Sequence, residues 1–108
     1  MLDGFTVAVY YAARSFVEVE GPTISGRAIE ITIPLSVIPR KLADAAPGDR
    51  VRVRFHRKED RPSPLLDAVI VDKQRTLGGH VMKLEVLDWD KLARFWRIVM
   101  EAPDAGEL

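Results

Sequence analysis

A chain of 108 residues has the length of one domain, and folding at that length buries about 65% of the surface an extended chain exposes, so a single core suffices. Apolar residues at 47% and charged residues at 30% exclude a disordered chain. Sixteen Lys and Arg against sixteen Asp and Glu leave no bulk attraction to a polyanion, and the lack of cysteine excludes a disulfide framework, a thiolate zinc site and a thiol nucleophile.

No apolar run approaches the roughly 20 residues that cross a bilayer, and the start of the chain, with Asp3, lacks the basic region of a secretory signal. The expectation is a soluble, cytoplasmic protein that does not engage membranes.

In chain order, alternation of apolar and polar residues predicts strands at FTVAVYY (5–11), SFVEVE (15–20), RAIEITI (27–33), RVRVRF (50–55), DAVIVD (67–72) and HVMKLEVL (80–87). Turn chemistry separates them at Gly21-Pro22, Ser25-Gly26, Pro47-Gly48-Asp49, Pro62-Ser63-Pro64 and Gly78-Gly79. Between the third and fourth candidates, residues 40–46 lie between two prolines and predict one or two helical turns, with Pro39 suited to a helix start. After the last strand, Trp89, Leu92, Phe95, Trp96, Val99 and Met100 recur at helical spacing, with Lys91, Arg94, Arg97 and Glu101 on the other side. Asp88 or Asp90 is the expected N-cap of this longest helix.

Residues 1–102 are therefore expected to form a single mainly β domain with a C-terminal α-helix, followed by a frayed acidic tail at 103–108. The order of elements resembles a small Greek-key barrel of five to six strands, OB-like or SH3-like, with a short helix between strands three and four. That resemblance is to an architecture and carries no residue-level motif.

Charge is uneven along the chain. Residues 1–26 carry a net −2, residues 27–61 +4, residues 62–84 +1 and residues 85–108 −3, so the positive end centres on RVRVRFHRKEDR (50–61). Alternation sends Val51, Val53 and Phe55 to the core and Arg50, Arg52, Arg54 and His56 to the opposite face, with Arg57, Lys58 and Arg61 extending the basic surface into the following loop. Arginines two residues apart on a strand are about 7 Å apart, comparable with the spacing of phosphates along a nucleic-acid strand.

The loop 56–65 is longer than a tight hairpin needs and is expected to flex at Ser63. In the N-terminal hairpin, Tyr10 and Tyr11 are adjacent and must face opposite sides, so one is expected to be exposed for base stacking, with Phe16 nearby. Against this stands a solvated, charge-paired face: Glu18, Glu20, Glu30, Asp67 and Asp72 are candidate partners that would neutralise the arginines across strands. Arginines on an edge strand would also resist unwanted strand addition.

Catalytic patterns are lacking. Ser15, Ser25, Ser36 and Ser63 stand outside any nucleophile elbow, and Gly78-Gly79 is read as a hairpin turn rather than a phosphate cradle. A metal site would have to combine His56 and His80 with Asp or Glu from elsewhere, and two strand histidines are read as structural or surface residues, while the pairs Asp88/Asp90 and Glu59/Asp60 suit a helix cap and a solvated turn. No catalytic residue, metal or cofactor is expected.

Two functions are then open. The first is a non-enzymatic binding module for single-stranded nucleic acid, DNA or RNA, through Arg50, Arg52, Arg54, Arg57, Lys58, Arg61 and Tyr10 or Tyr11. The second is a protein-interaction or accessory subunit, self-associating in one version, that uses Trp89, Phe95 and Trp96 of the C-terminal helix together with Ile98 and Met100. A small enzyme or receptor with a ligand inside the barrel is the minority alternative.

Overall fold

The computed structural model describes residues 4–25, 27–58 and 60–101. The expected frayed tail, the second residue of the Ser25-Gly26 turn, Glu59 and the Met100 side chain lie outside the described residues. Among the described residues, seven strands and two helices follow one another as β1 (Phe5–Tyr10), β2 (Phe16–Glu20), β3 (Thr23–Ser25), β4 (Ala28–Ile33), α1 (Arg40–Ala43), β5 (Arg50–Arg57), β6 (Leu66–Thr76), β7 (Gly79–Val86) and α2 (Trp89–Glu101).

All strands belong to one antiparallel sheet in the order β2-β1-β5-β6-β7-β4-β3. This is one strand more than the upper end of the expected range, because Thr23–Ser25 pairs with Ala28–Ile33 as a short hairpin. The short helix accordingly falls between the fourth and fifth strands. The two end strands of the sheet, β2 and β3, are consecutive in the chain and separated only by Gly21 and Pro22. Two intervening residues span at most about 11 Å, so the sheet must curl until its edges meet at one end. No ladder joins β2 to β3 among the described residues, and by hydrogen bonding the sheet is open.

The core lies inside this curl. Phe5, Val7 and Val9 of β1, Val51, Val53 and Phe55 of β5, Ile29, Ile31 and Ile33 of β4, and Met82, Leu84 and Val86 of β7 all turn inward at the period of two. Helix α2 packs on this core. Its Leu92 and Phe95 are buried, and Trp96 meets Phe5 at 5.3 Å and Phe55 at 5.2 Å between ring centroids, both edge-on. Edge-to-face aromatic pairs add about 0.5–1.5 kcal/mol each beyond the area they bury.

Asp88 precedes α2, and its carbonyl accepts the amides of Lys91 and Leu92. Its carboxylate accepts the amide of Asp67 at 2.9 Å and so ties the helix start to β6. Pro39 stands at the N-cap of α1 rather than inside its first turn, and only one turn forms.

A bulge at Val71 reverses the phase of β6. Before it, Leu66, Ala68 and Ile70 face inward; after it, Lys73 pairs with Met82 and turns inward in its place. The Lys73 ammonium then donates to the carbonyls of Leu42, Ala43 and Ala45 at the C-terminal end of α1. A cation at that end satisfies carbonyls the helix leaves open.

Candidate functional site

On the outward face of the sheet, register sets the neighbours of each arginine. Tyr10 pairs with Arg52 and Arg52 with Asp67, while Tyr10 also pairs with Phe16, so one row reads Phe16, Tyr10, Arg52, Asp67 across β2, β1, β5 and β6. The next row is Glu18, Ala8, Arg54, and the one after it Glu20, Thr6, His56. Because Ala8 and Thr6 intervene, the glutamates of β2 stand two strands, roughly 9–10 Å, from the basic residues of β5.

Among the described residues the ion pairs within 4 Å are Arg40–Asp44 and Arg57–Asp60. Arg50, Arg52 and Arg54 therefore form none. Among the described residues, the cross-strand ion pairs expected as the competing explanation are not formed by these three arginines, although Asp67 stands beside Arg52. Arg54 is half-buried next to Ala8, and its Nε is buried without a hydrogen-bond partner among the described residues.

Arg57 departs from its expected place. Strand β5 runs through Arg57, so alternation carries this side chain to the inner side, where its guanidinium lies 4.8 Å from the centroid of the buried Phe5 ring and its Nε donates to Asp60 at 2.6 Å. These contacts turn Arg57 away from the row of Arg50, Arg52 and Arg54 and toward the core.

The loop that follows is also tighter than expected. Ser63 is buried; its amide donates to the carbonyl of Phe55, its hydroxyl accepts the Phe55 amide at 2.8 Å, and the same hydroxyl donates to the carbonyl of Pro64. The residue expected to flex instead pins the loop to β5, which leaves Lys58 and Arg61 exposed on its surface. Sequence alone gave no sign of this, because a serine between two prolines reads as a turn residue.

Both tyrosines are half-buried, rather than one in and one out. Tyr10 stacks on Phe16 with centroids 4.9 Å apart and planes 32° apart, and Phe16 itself is 46% exposed. Tyr11 packs against the edge of the core at the hairpin end of β1. An open cleft of about 310 Å³ brings together Tyr10, Tyr11, Arg50, Arg52 and Asp67. Four of the eight residues singled out for nucleic-acid contact thus converge, whereas Arg54, Arg57, Lys58 and Arg61 do not line this cleft.

The helix residues singled out for a partner are placed differently. Phe95 is buried, and Trp89 and Trp96 pack partly buried on the core; among the described side chains of α2, the exposed large apolar one is Ile98. The physical reason is ring packing: Phe95 and Trp96 both meet Phe5 edge-on, and Trp96 also meets Phe55.

His56 faces outward on β5, and His80 lies at the start of β7 beside Arg75 and Ile33, two strands away, so the histidines do not converge. Partial burial, then the charges of Lys73 and Arg75, hold the His80 imidazole below its usual pKa. Among the described residues no group of three His, Asp or Glu side chains is placed to hold a metal, and no helix is long and apolar enough to cross a membrane. Comparison with family models, curated proteins and solved structures finds no match to this chain.

Proposed function

We propose that the chain is a non-enzymatic binding module for single-stranded nucleic acid, with its site at the Tyr10–Arg52 end of β1 and β5. The observation that carries this reading is the shared cleft of Tyr10, Tyr11, Arg50 and Arg52, which brings two guanidinium groups that form no ion pair among the described residues together with two partly exposed rings. Rings offer a sequence-tolerant surface for base stacking, and free arginines supply the charge that follows a phosphate backbone. The curled sheet, with its edges linked by Gly21 and Pro22, is read as a small barrel of the OB- or SH3-like kind, whose strand faces suit oligonucleotides. A cytoplasmic location accords with a chain that has no cysteine.

The test is fluorescence anisotropy with labelled single-stranded and duplex oligonucleotides. Micromolar or tighter binding is expected at low salt, falling with the logarithm of salt at a slope of about −0.7 per phosphate contacted on a single strand. The absence of micromolar binding at low salt overturns the reading.

The accessory-subunit reading draws less support, since Phe95 and Trp96 pack on Phe5 and Phe55 and, among the described side chains of α2, leave Ile98, 67% exposed, and the half-buried Trp89 for a partner. Light scattering addresses its self-associating version: a strict monomer removes it.

A further inference from the structure

Resting on the proposed nucleic-acid reading, we infer that the bound strand turns off β5 and crosses the hairpin end of β1 toward α1, so that Lys41, and not the basic loop, supplies the next phosphate contact. The cleft of Tyr10 and Arg52 does not end at Tyr11. A second open cleft of about 240 Å³, lined by Tyr11, Lys41, Ala45, Asp49 and Arg50, shares Tyr11, Arg50 and Val51 with the first. Tyr11 and Arg50 therefore form the ridge between two adjoining hollows. Pockets that enclose a whole small ligand measure about 300–1,000 Å³, so two open hollows near that lower limit suit successive units of a chain laid across the surface better than one small molecule.

The charges agree with this route. Lys41 is exposed and makes no ion pair among the described residues. The carboxylate of Asp49 is held by the amide of Ala46 at 2.9 Å, which fixes it toward its own loop. Along the other direction, down β5, Arg54 is half-buried with its Nε enclosed, and Arg57 is committed to Phe5 and Asp60. A strand running that way would meet one arginine that is half-buried and one already committed to structural contacts before it reached Lys58 or Arg61.

The experiment compares anisotropy titrations over a salt series for the full chain and for Lys41→Glu, Lys41→Gln and the double variant Lys58→Glu/Arg61→Glu, with circular dichroism to confirm folding. Lys41 is a surface residue, and its neutral variant guards against any effect of the new negative charge. The expected result is an affinity loss of about tenfold for Lys41→Glu and a smaller loss for Lys41→Gln. The salt slope should become shallower by about 0.7 with either Lys41 variant. The loop double variant should change both quantities little. If the loop variant carries the loss and the Lys41 variants bind as the original chain does, the inferred route is overturned while the nucleic-acid reading stands. If the unaltered chain binds no oligonucleotide, both fall together.

Discussion

Arg52 and Asp67 are register partners across β5 and β6, side by side on the outward face, yet no ion pair within 4 Å joins them. The carboxylate lines the same cleft as the guanidinium and lowers the positive potential there without neutralising it. Asp67→Asn should therefore tighten binding of single-stranded oligonucleotide by about two- to fivefold at low salt, with the gain fading as salt rises. The backbone amide of Asp67, which donates to Asp88, is unchanged by the substitution, so stability should hold. Anisotropy and a urea titration of the same sample check both halves.

Arg57 and Arg52 should separate stability from binding. Arg57→Gln removes a cation over the Phe5 ring and a partly exposed ion pair with Asp60, and is expected to cost about 1 kcal/mol of stability while leaving the salt slope of binding unchanged. Arg52→Gln should do the reverse, with a slope shallower by about 0.7 and an unaltered urea midpoint.

Lys73→Met replaces an inward ammonium with an apolar chain of similar length. The carbonyls of Leu42, Ala43 and Ala45 then lose their shared donor, and a loss of about 2 kcal/mol is expected in urea unfolding. Hydrogen exchange should rise first in α1 and the turn after it, since β6 itself keeps its ladder.

Gly79 has φ +142°, and a Cβ added there would run into the Ile33 carbonyl and come within 2.9 Å of the Pro34 Cα. Both obstacles are backbone, so neither can swing away. Gly79→Ala is expected to destabilise the fold by about 3 kcal/mol, read as a lowered urea midpoint with an unchanged slope.

His80 makes stability depend on pH. Its pKa is lowered in the folded chain, so between the unfolded value near 6.5 and the folded value the unfolded chain binds more protons. The His80 contribution is fully present above about pH 6.5 and is lost as pH falls through the folded pKa. His80→Gln should thus show a smaller drop in urea midpoint between about pH 7.5 and pH 5.5 than the unaltered chain. In Lys73→Met, loss of one neighbouring cation should move the imidazole titration upward, observable by NMR of the ring protons.

Sequence alone determined what period and composition can carry. The alternation in RVRVRF sends Val51, Val53 and Phe55 inward and Arg50, Arg52 and Arg54 outward, and the spacing of Leu92, Phe95 and Trp96 makes one face of a helix, because both patterns follow from the geometry of a single element. Tertiary structure decided which residues meet. Tyr10 reaches Arg52 only through the register of β1 on β5. Arg57 turns inward only because pairing carries β5 past Phe55, and Ser63 becomes an anchor only because its hydroxyl finds the Phe55 amide. The bulge at Val71, which no local pattern announces, sends Lys73 to α1. Register, bulges and the curl that joins β2 to β3 are set by contacts between segments distant in the chain. The candidate site consists of such contacts: its residue types were legible in the sequence, and their convergence around Tyr11 and Arg50 was not.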